Sequence, residues 1–169
     1  MDSTPILLEA LQFENKIRDL YRLAATKVAD PRGKAIFQAL ADDEQSHVDF
    51  LDYSLAQLKD NKLIDTTRLS TPLPDPAKIE AQIESLKTQI PERMLGDVKT
   101  VLNSALQMEK ETSAFYEQAI GRTDGEIQKI FTIFLDIEQR HTQLVQMELD
   151  HVSGYGVWFD FMETSMETE

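Results

Sequence analysis

Six residues in this chain have the types and spacing that hold metal ions: a lone Glu14, the pair Glu44 and His47, a lone Glu109, and the pair Glu138 and His141. They come in two matching sets. Ala10-Leu11-Gln12-Phe13-Glu14 with Tyr21 recurs as Ala105-Leu106-Gln107-Met108-Glu109 with Tyr116, at an offset of 95 residues. Asp42-Asp43-Glu44-Gln45-Ser46-His47 recurs as Asp136-Ile137-Glu138-Gln139-Arg140-His141, at an offset of 94. Oxygen-rich donor sets with imidazole accept several divalent ions. Glu-x-x-His puts both side chains on adjacent turns of one helix face, where they can bind one ion or a close pair.

Glu-x-x-His alone decides little, because all three histidines have Glu three residues before them, including Glu148 before His151. The positions related to that third pair are Ser54 and Gln57, so it has no counterpart, and His151 reads as a helix-terminal residue favoured by the helix dipole. The two matched pairs differ because an upstream Glu aligns with each. Tyr21 and Tyr116 follow the lone Glu by seven residues, ~20° away around the helix axis. They can donate hydrogen bonds to ligand carboxylates, act as redox-active neighbours, or be ordinary core aromatics. Asp42 and Asp136 point to another face and read as solvated, or as supports behind the ligands, rather than as ligands.

Four long helices must position these groups. The first stripe is Leu7, Ala10, Glu14, Ile17, Tyr21, Ala24 and Val28, and Asp30-Pro31 closes that helix and opens the next, with Asp30 as N-cap. The second is Ile36, Leu40, Glu44, His47, Leu51, Leu55 and Leu58. A polar stretch from Asn61 to Pro76 follows, then a short helix opened by Asp75-Pro76 and carrying Ile79, Ile83 and Leu86, with Pro91 and Gly96 after it. The third stripe is Val98, Leu102, Ala105, Glu109, Thr112, Tyr116 and Ala119; Gly121-Arg122-Thr123-Asp124-Gly125 is a tight connection. The fourth is Ile127, Ile130, Phe134, Glu138, His141, Val145 and Val152, with its stop expected at Ser153-Gly154. Two short connections and one long crossover predict an all-α four-helix bundle over 1–153, made of two antiparallel hairpins. Residues 154–169 form a tail with an apolar start and an acidic end, and its Trp158 segment reads as a cap on the bundle or a surface for a neighbouring subunit.

In each stripe a Glu stands where a bundle places an aliphatic residue. Moving one ionised carboxylate into a low-dielectric interior is idealised at tens of kcal/mol, against a domain stability of roughly 5–15 kcal/mol. Two divalent cations would neutralise Glu14, Glu44, Glu109 and Glu138, with two imidazoles as further ligands. One Glu from each of two helices and Glu-x-x-His from each of the other two is the donor set of ferritin-like di-metal bundles.

Composition narrows the partners. The 169 residues carry 30 acidic against 17 basic side chains, a net charge of −13 that repels a phosphate backbone, so nucleic acid is not expected. The absence of cysteine excludes disulfides, thiolate nucleophiles, iron–sulfur clusters and Cys-bound zinc. No run approaches the ~18 consecutive apolar residues of a spanning helix. The amino terminus lacks the basic and apolar pattern of a secretory signal, so a cytoplasmic location is expected.

On Glu14, Glu44, His47, Glu109, Glu138 and His141, in that order between about Leu7 and Val152, the chain resembles the rubrerythrin family of the ferritin-like superfamily. The resemblance implies two iron ions, with Glu44 and Glu138 bridging, Glu14 and Glu109 terminal, and His47 and His141 each on one iron. It implies reduction of peroxide or dioxygen, or oxidation of ferrous iron, often in a homodimer. Manganese or mixed metals fit the same donors. The family's usual four-cysteine rubredoxin site is missing, so a separate electron donor such as a rubredoxin-like protein is expected. Thr112 stands where the family tends to have a second Glu on the third helix, while Glu111 is turned away. The alternatives are a ferroxidase or iron-handling protein, whose substrate is iron itself, and a helical interaction module with a structural metal.

Overall fold

The computed structural model describes residues 2–79, 87–159 and 161. Its long helices are α1 (Thr4–Lys27), α2 (Pro31–Lys59), α4 (Leu95–Gly121) and α5 (Gly125–Tyr155), and the crossover holds the short α3 (Pro76–Ile79). α1 packs on α2, α4 on α5, and α1 lies against α4, which makes the ferritin-like all-α bundle of two hairpins. No helix among the described residues is long and apolar enough to cross a membrane.

Local chemistry sets the boundaries. Asp30 caps α2 by accepting the Arg32 backbone N–H at 2.9 Å, and Pro31 takes the first helical position, where a missing N–H costs nothing. α5 does not stop at Ser153-Gly154 as the sequence suggests; it continues to Tyr155 and ends at Gly156, in the left-handed region at φ 64°. The reason is non-local. Gly156 donates its N–H to the Val152 carbonyl and accepts the Ile90 N–H at 2.8 Å, so the chain leaves the helix where an edge is waiting.

That edge is a small ribbon the sequence does not announce. β1 (Lys87–Gln89) pairs antiparallel with β2 (Val157–Phe159), Thr88 opposite Trp158. Of the expected short helix, Pro76–Ile79 is helical, while Ile83 and Leu86 lie outside the described residues. β2 carries Trp158 onto the end of the bundle, where it is buried and donates Nε1–H to Asp30 Oδ2 at 2.8 Å. Its ring stands edge-on to Phe37, centroids 5.9 Å apart. The tail's first residues therefore cap their own bundle.

The apolar interior has two parts. One holds Ile17, Tyr21, Phe37, Leu40, Leu102, Val145 and Trp158; the other holds Leu7, Phe50, Leu51, Tyr116, Ile130, Phe131 and Phe134. The carboxylates occupy the layer between them, since Glu14 is flanked by Ala10 of one part and Ile17 of the other. Large side chains close that layer off from water above and below.

Candidate metal centre

Glu14, Glu44, His47, Glu109, Glu138 and His141 are each 0% exposed. Four helices bring them together, one Glu from α1 and α4 and a Glu-x-x-His pair from α2 and α5. Two groups of donor atoms result, each close enough to hold an ion: Glu14, Glu44, His47 and Glu138, and Glu44, Glu109, Glu138 and His141. Glu44 and Glu138 belong to both.

The distances show how the sharing works. Glu44 Oε2 is 3.0 Å from His47 Nδ1 and its Oε1 is 2.7 Å from His141 Nδ1. Glu138 spans the same gap more loosely, Oε1 at 3.5 Å from His47 Nδ1 and Oε2 at 3.9 Å from His141 Nδ1. Glu14 Oε2 approaches His47 alone, at 3.4 Å, and Glu109 Oε1 approaches His141 alone, at 3.6 Å. The imidazoles lie nearly parallel, with centroids 5.6 Å apart.

A ring of acids this deep is tolerable without metal only if protons stand in for it. Burial, reinforced by the Glu44 charge, pushes the Glu14 carboxyl up to about 7. Burial and the charges of Glu44 and Glu14 push Glu138 well up too. Burial would strip the proton from both histidines, but the carboxylates of Glu138, Glu14 and Glu44 gathered around His47, and the charges of Glu44 and Glu138 beside His141, hold both well above the usual imidazole range. Burial likewise raises Glu44, yet His141 and His47 outweigh it and keep Glu44 ionised. These opposed shifts pair the two histidines with the Glu44 carboxylate, and a cation entering the cluster would have to displace its protons.

Two observations say that a cation fits. Among the described residues, Glu14 Oε2, Glu109 Oε2 and both oxygens of Glu138 are buried without a hydrogen-bond partner. Native interiors rarely leave such acceptors unpaired, and here they converge on one layer. The donor set of carboxylate oxygens and imidazole nitrogen, without sulfur, suits iron, manganese and similar ions.

Tyrosines brace the outer carboxylates crosswise. Tyr21 of α1 donates its hydroxyl to Glu109 Oε1 of α4, and Tyr116 of α4 donates to Glu14 Oε1 of α1 at 2.5 Å. Burial, with Glu109 beside Tyr21 and Glu14 beside Tyr116, keeps both phenols protonated far into the alkaline range. Phe134 stacks on Tyr116 and meets His47 edge-on.

Asp42 and Asp136 are exposed on the outer face. Glu148 and His151 are elsewhere: Glu148 is buried and accepts the Phe159 N–H at 3.3 Å, and His151 Nδ1 donates to the Met147 carbonyl in its own helix. Sequence reasoning missed Asp43, which is 3% exposed and faces both histidines from behind. Its signal was in the chain. Ile36, Leu40, Asp43, His47, Phe50 and Ser54 make a buried heptad series in which Asp43 holds a core position.

The model of the family described as Rubrerythrin matches residues 5–149. No curated protein and no solved structure matches the chain.

Proposed function

From the premise that the chain belongs to the rubrerythrin family, we propose that it is a non-haem di-iron oxidoreductase, reducing hydrogen peroxide or dioxygen with electrons from a separate donor such as a rubredoxin-like protein. The observation that carries this reading is the sharing of Glu44 and Glu138 between two adjacent donor groups, which suits a pair of ions rather than one. Glu44 and Glu138 would be shared by the two ions, Glu14 and His47 would complete one position, and Glu109 and His141 would complete the other. Two ferrous ions held there would supply the two electrons that, with two protons, take hydrogen peroxide to two waters, and the external donor would restore those electrons. An external donor is needed because the chain holds no cysteine for an iron–thiolate relay.

The chain's own residues do the rest. Tyr21 and Tyr116 fix the outer carboxylates by donating to one oxygen of each, leaving the other oxygen for a cation. Ile17, Phe131 and Phe134, each 0% exposed, keep bulk water from the layer and preserve the strength of its charge interactions. Four carboxylates against two divalent ions leave a neutral centre, so manganese or a mixed pair suits the same residues.

One observation favours a second reading, oxidation of ferrous iron as substrate. Thr112 Oγ1 donates to the Met108 carbonyl of its own helix at 2.9 Å, so α4 offers no second carboxylate one turn beyond Glu109. A centre without a spare ligand to exchange suits iron that arrives, is oxidised and leaves.

Anaerobic loading with ferrous iron, metal analysis by mass spectrometry and one equivalent of hydrogen peroxide test both readings. Two irons per chain that oxidise and stay bound support the oxidoreductase. Uptake of many ferrous ions per chain with release of ferric product supports the second reading, and no stoichiometric metal overturns both.

A further inference from the structure

The matched halves differ behind the histidines. Asp43 Oδ2 accepts from His141 Nε2 at 2.7 Å and from Thr71 Oγ1 at 2.6 Å. Its other oxygen lies 3.7 Å from His47 Nε2, beyond hydrogen-bond reach, and receives Ser46 Oγ at 3.4 Å. His47 Nε2 has no hydrogen-bond partner among the described residues. The repeat places Ile137 where a second Asp would serve His47. Ile137 is 3% exposed and has no acceptor to offer.

Resting on the di-metal reading above, we propose that Asp43 makes the two metal positions unequal: the Glu109/His141 position is held ready and fills first, and the Glu14/His47 position is looser and fills second. A histidine that ligates through Nδ1 keeps its proton on Nε2, and a carboxylate accepting that proton fixes the ring's orientation and raises the basicity of the ligating nitrogen. His141 has this partner at full strength, clamped in turn by a hydroxyl from the crossover. His47 has only the remote oxygen, with the edge of Phe134 against its ring. Asp43, His47 and His141 could by proximity hold an ion of their own. With both Nδ1 atoms committed to the centre, however, both Nε2 atoms carry hydrogen and donate instead of ligating.

Asp43 is thus a positioning residue, and stepwise anaerobic addition of Co(II) to the full chain, followed by the visible absorption of the bound ion, tests it. The expected result is two steps further apart than statistics gives two identical sites, with His141→Ala removing the tighter and His47→Ala the weaker. Asp43→Asn, which keeps the shape but accepts a weaker bond, should weaken the tighter step by about 10–100-fold and draw the two together. Thr71→Val, which removes the clamp and leaves every ionisable group in place, should weaken the same step by less. Circular dichroism of each variant separates lost folding from lost affinity. Two equal steps in the unaltered protein, a tighter step that vanishes with His47, or equal losses from both steps in Asp43→Asn would each overturn the inequality while leaving the di-metal reading intact. Failure of the unaltered protein to take up stoichiometric Co(II) would overturn both.

Discussion

The α1–α2 hairpin and the α4–α5 hairpin present nearly the same inner face to the centre of the bundle, yet they are supported from behind by different means. Toward the centre, Glu14 matches Glu109, Glu44 matches Glu138, His47 matches His141, and the two tyrosines exchange places across the α1–α4 contact. One layer out, Asp43 faces Ile137 across the repeat, and Ile17 faces Thr112. On the di-metal reading proposed above, the inner groups satisfy two ions at once, and four carboxylates balanced against two divalent charges tolerate little change. The outer layer needs only to orient and exclude, and several side chains can do that. Chemistry therefore holds the halves alike at the centre and releases them at one remove.

Removing carboxylates in turn is the severest way to break the comparison. Glu44→Ala or Glu138→Ala takes a donor from both groups and should abolish binding of both ions, whereas Glu14→Ala or Glu109→Ala takes one from a single group and should leave one ion bound. Metal analysis after dialysis reads the difference, and loss of a single ion from Glu44→Ala would remove its spanning role.

Metal removal has the next largest effect and depends on pH. Glu14 has its folded-state value raised from 4.5 to about 7, so the stability it contributes is complete below pH 4.5 and lost as pH rises through 7. Glu138 and both histidines are raised as well and act in the same direction, the histidines' contribution being complete below about 6.5. Asp43 and Glu44 are lowered, and their contributions disappear only in strong acid. The metal-free chain should accordingly be most stable near pH 5 and lose thermal midpoint steadily toward pH 8, by about 2–4 °C per kcal/mol lost in a chain of this size. Bound metal replaces those protons and should remove or reverse the slope. Thermal scans of chelated and loaded protein across this range check it, and parallel slopes would show that the cluster is not where the metal binds.

The tyrosine exchange predicts smaller and crossed effects. Tyr21→Phe deprives Glu109 of its donor, and Tyr116→Phe deprives Glu14 of its own. Leaving a buried acceptor unpaired costs about 1–3 kcal/mol, and loss of an outer hydrogen bond to a ligand weakens metal binding by about 10–100-fold. Each substitution on one hairpin should therefore weaken the ion held mainly by the other hairpin's lone Glu, a result that cobalt spectra of the two variants can distinguish.

Much of this architecture is legible in the sequence, because helical periodicity reports burial and a buried acid within an apolar stripe is conspicuous. Asp30-Pro31 and the Gly121 to Gly125 connection mark boundaries through local chemistry alone. What escapes the sequence is non-local. Thr71 acquires meaning only when the crossover lays it against Asp43, and Asp43 itself hides beside Glu44 in a run of acids whose other member, Asp42, is exposed. The three-residue strands of the ribbon are too short to show a period, and the true end of α5 depends on the Ile90 edge that meets Gly156.

The bundle's two ends give the finest contrast. Asp30 and Gly33 at the start of α2 are related by the repeat to Asp124 and Ile127 at the start of α5. Ile127 fills its own space, whereas Gly33 leaves room that Trp158 occupies: a Cβ at Gly33 would lie 2.6 Å from Val28 Cγ1 and 2.8 Å from Trp158 Cζ2. Gly33→Ala sets two effects against each other. Replacing a helical glycine gains about 0.5–1 kcal/mol in backbone entropy, and overpacking costs about 1–3 kcal/mol. The clash involves a fully buried indole already tethered to Asp30, which has nowhere to retreat, so overpacking wins and the net loss should be about 1–2 kcal/mol. Gly154→Ala, near the end of α5 with nothing within 4 Å of its Cβ, meets no opposing contact and should gain about 0.4–1 kcal/mol. Denaturant midpoints of the two variants, of opposite sign against the unaltered chain, would show that Trp158 is seated by the space at Gly33; a stabilised Gly33→Ala would show that the indole can shift, and that the tail caps this end without being locked to it.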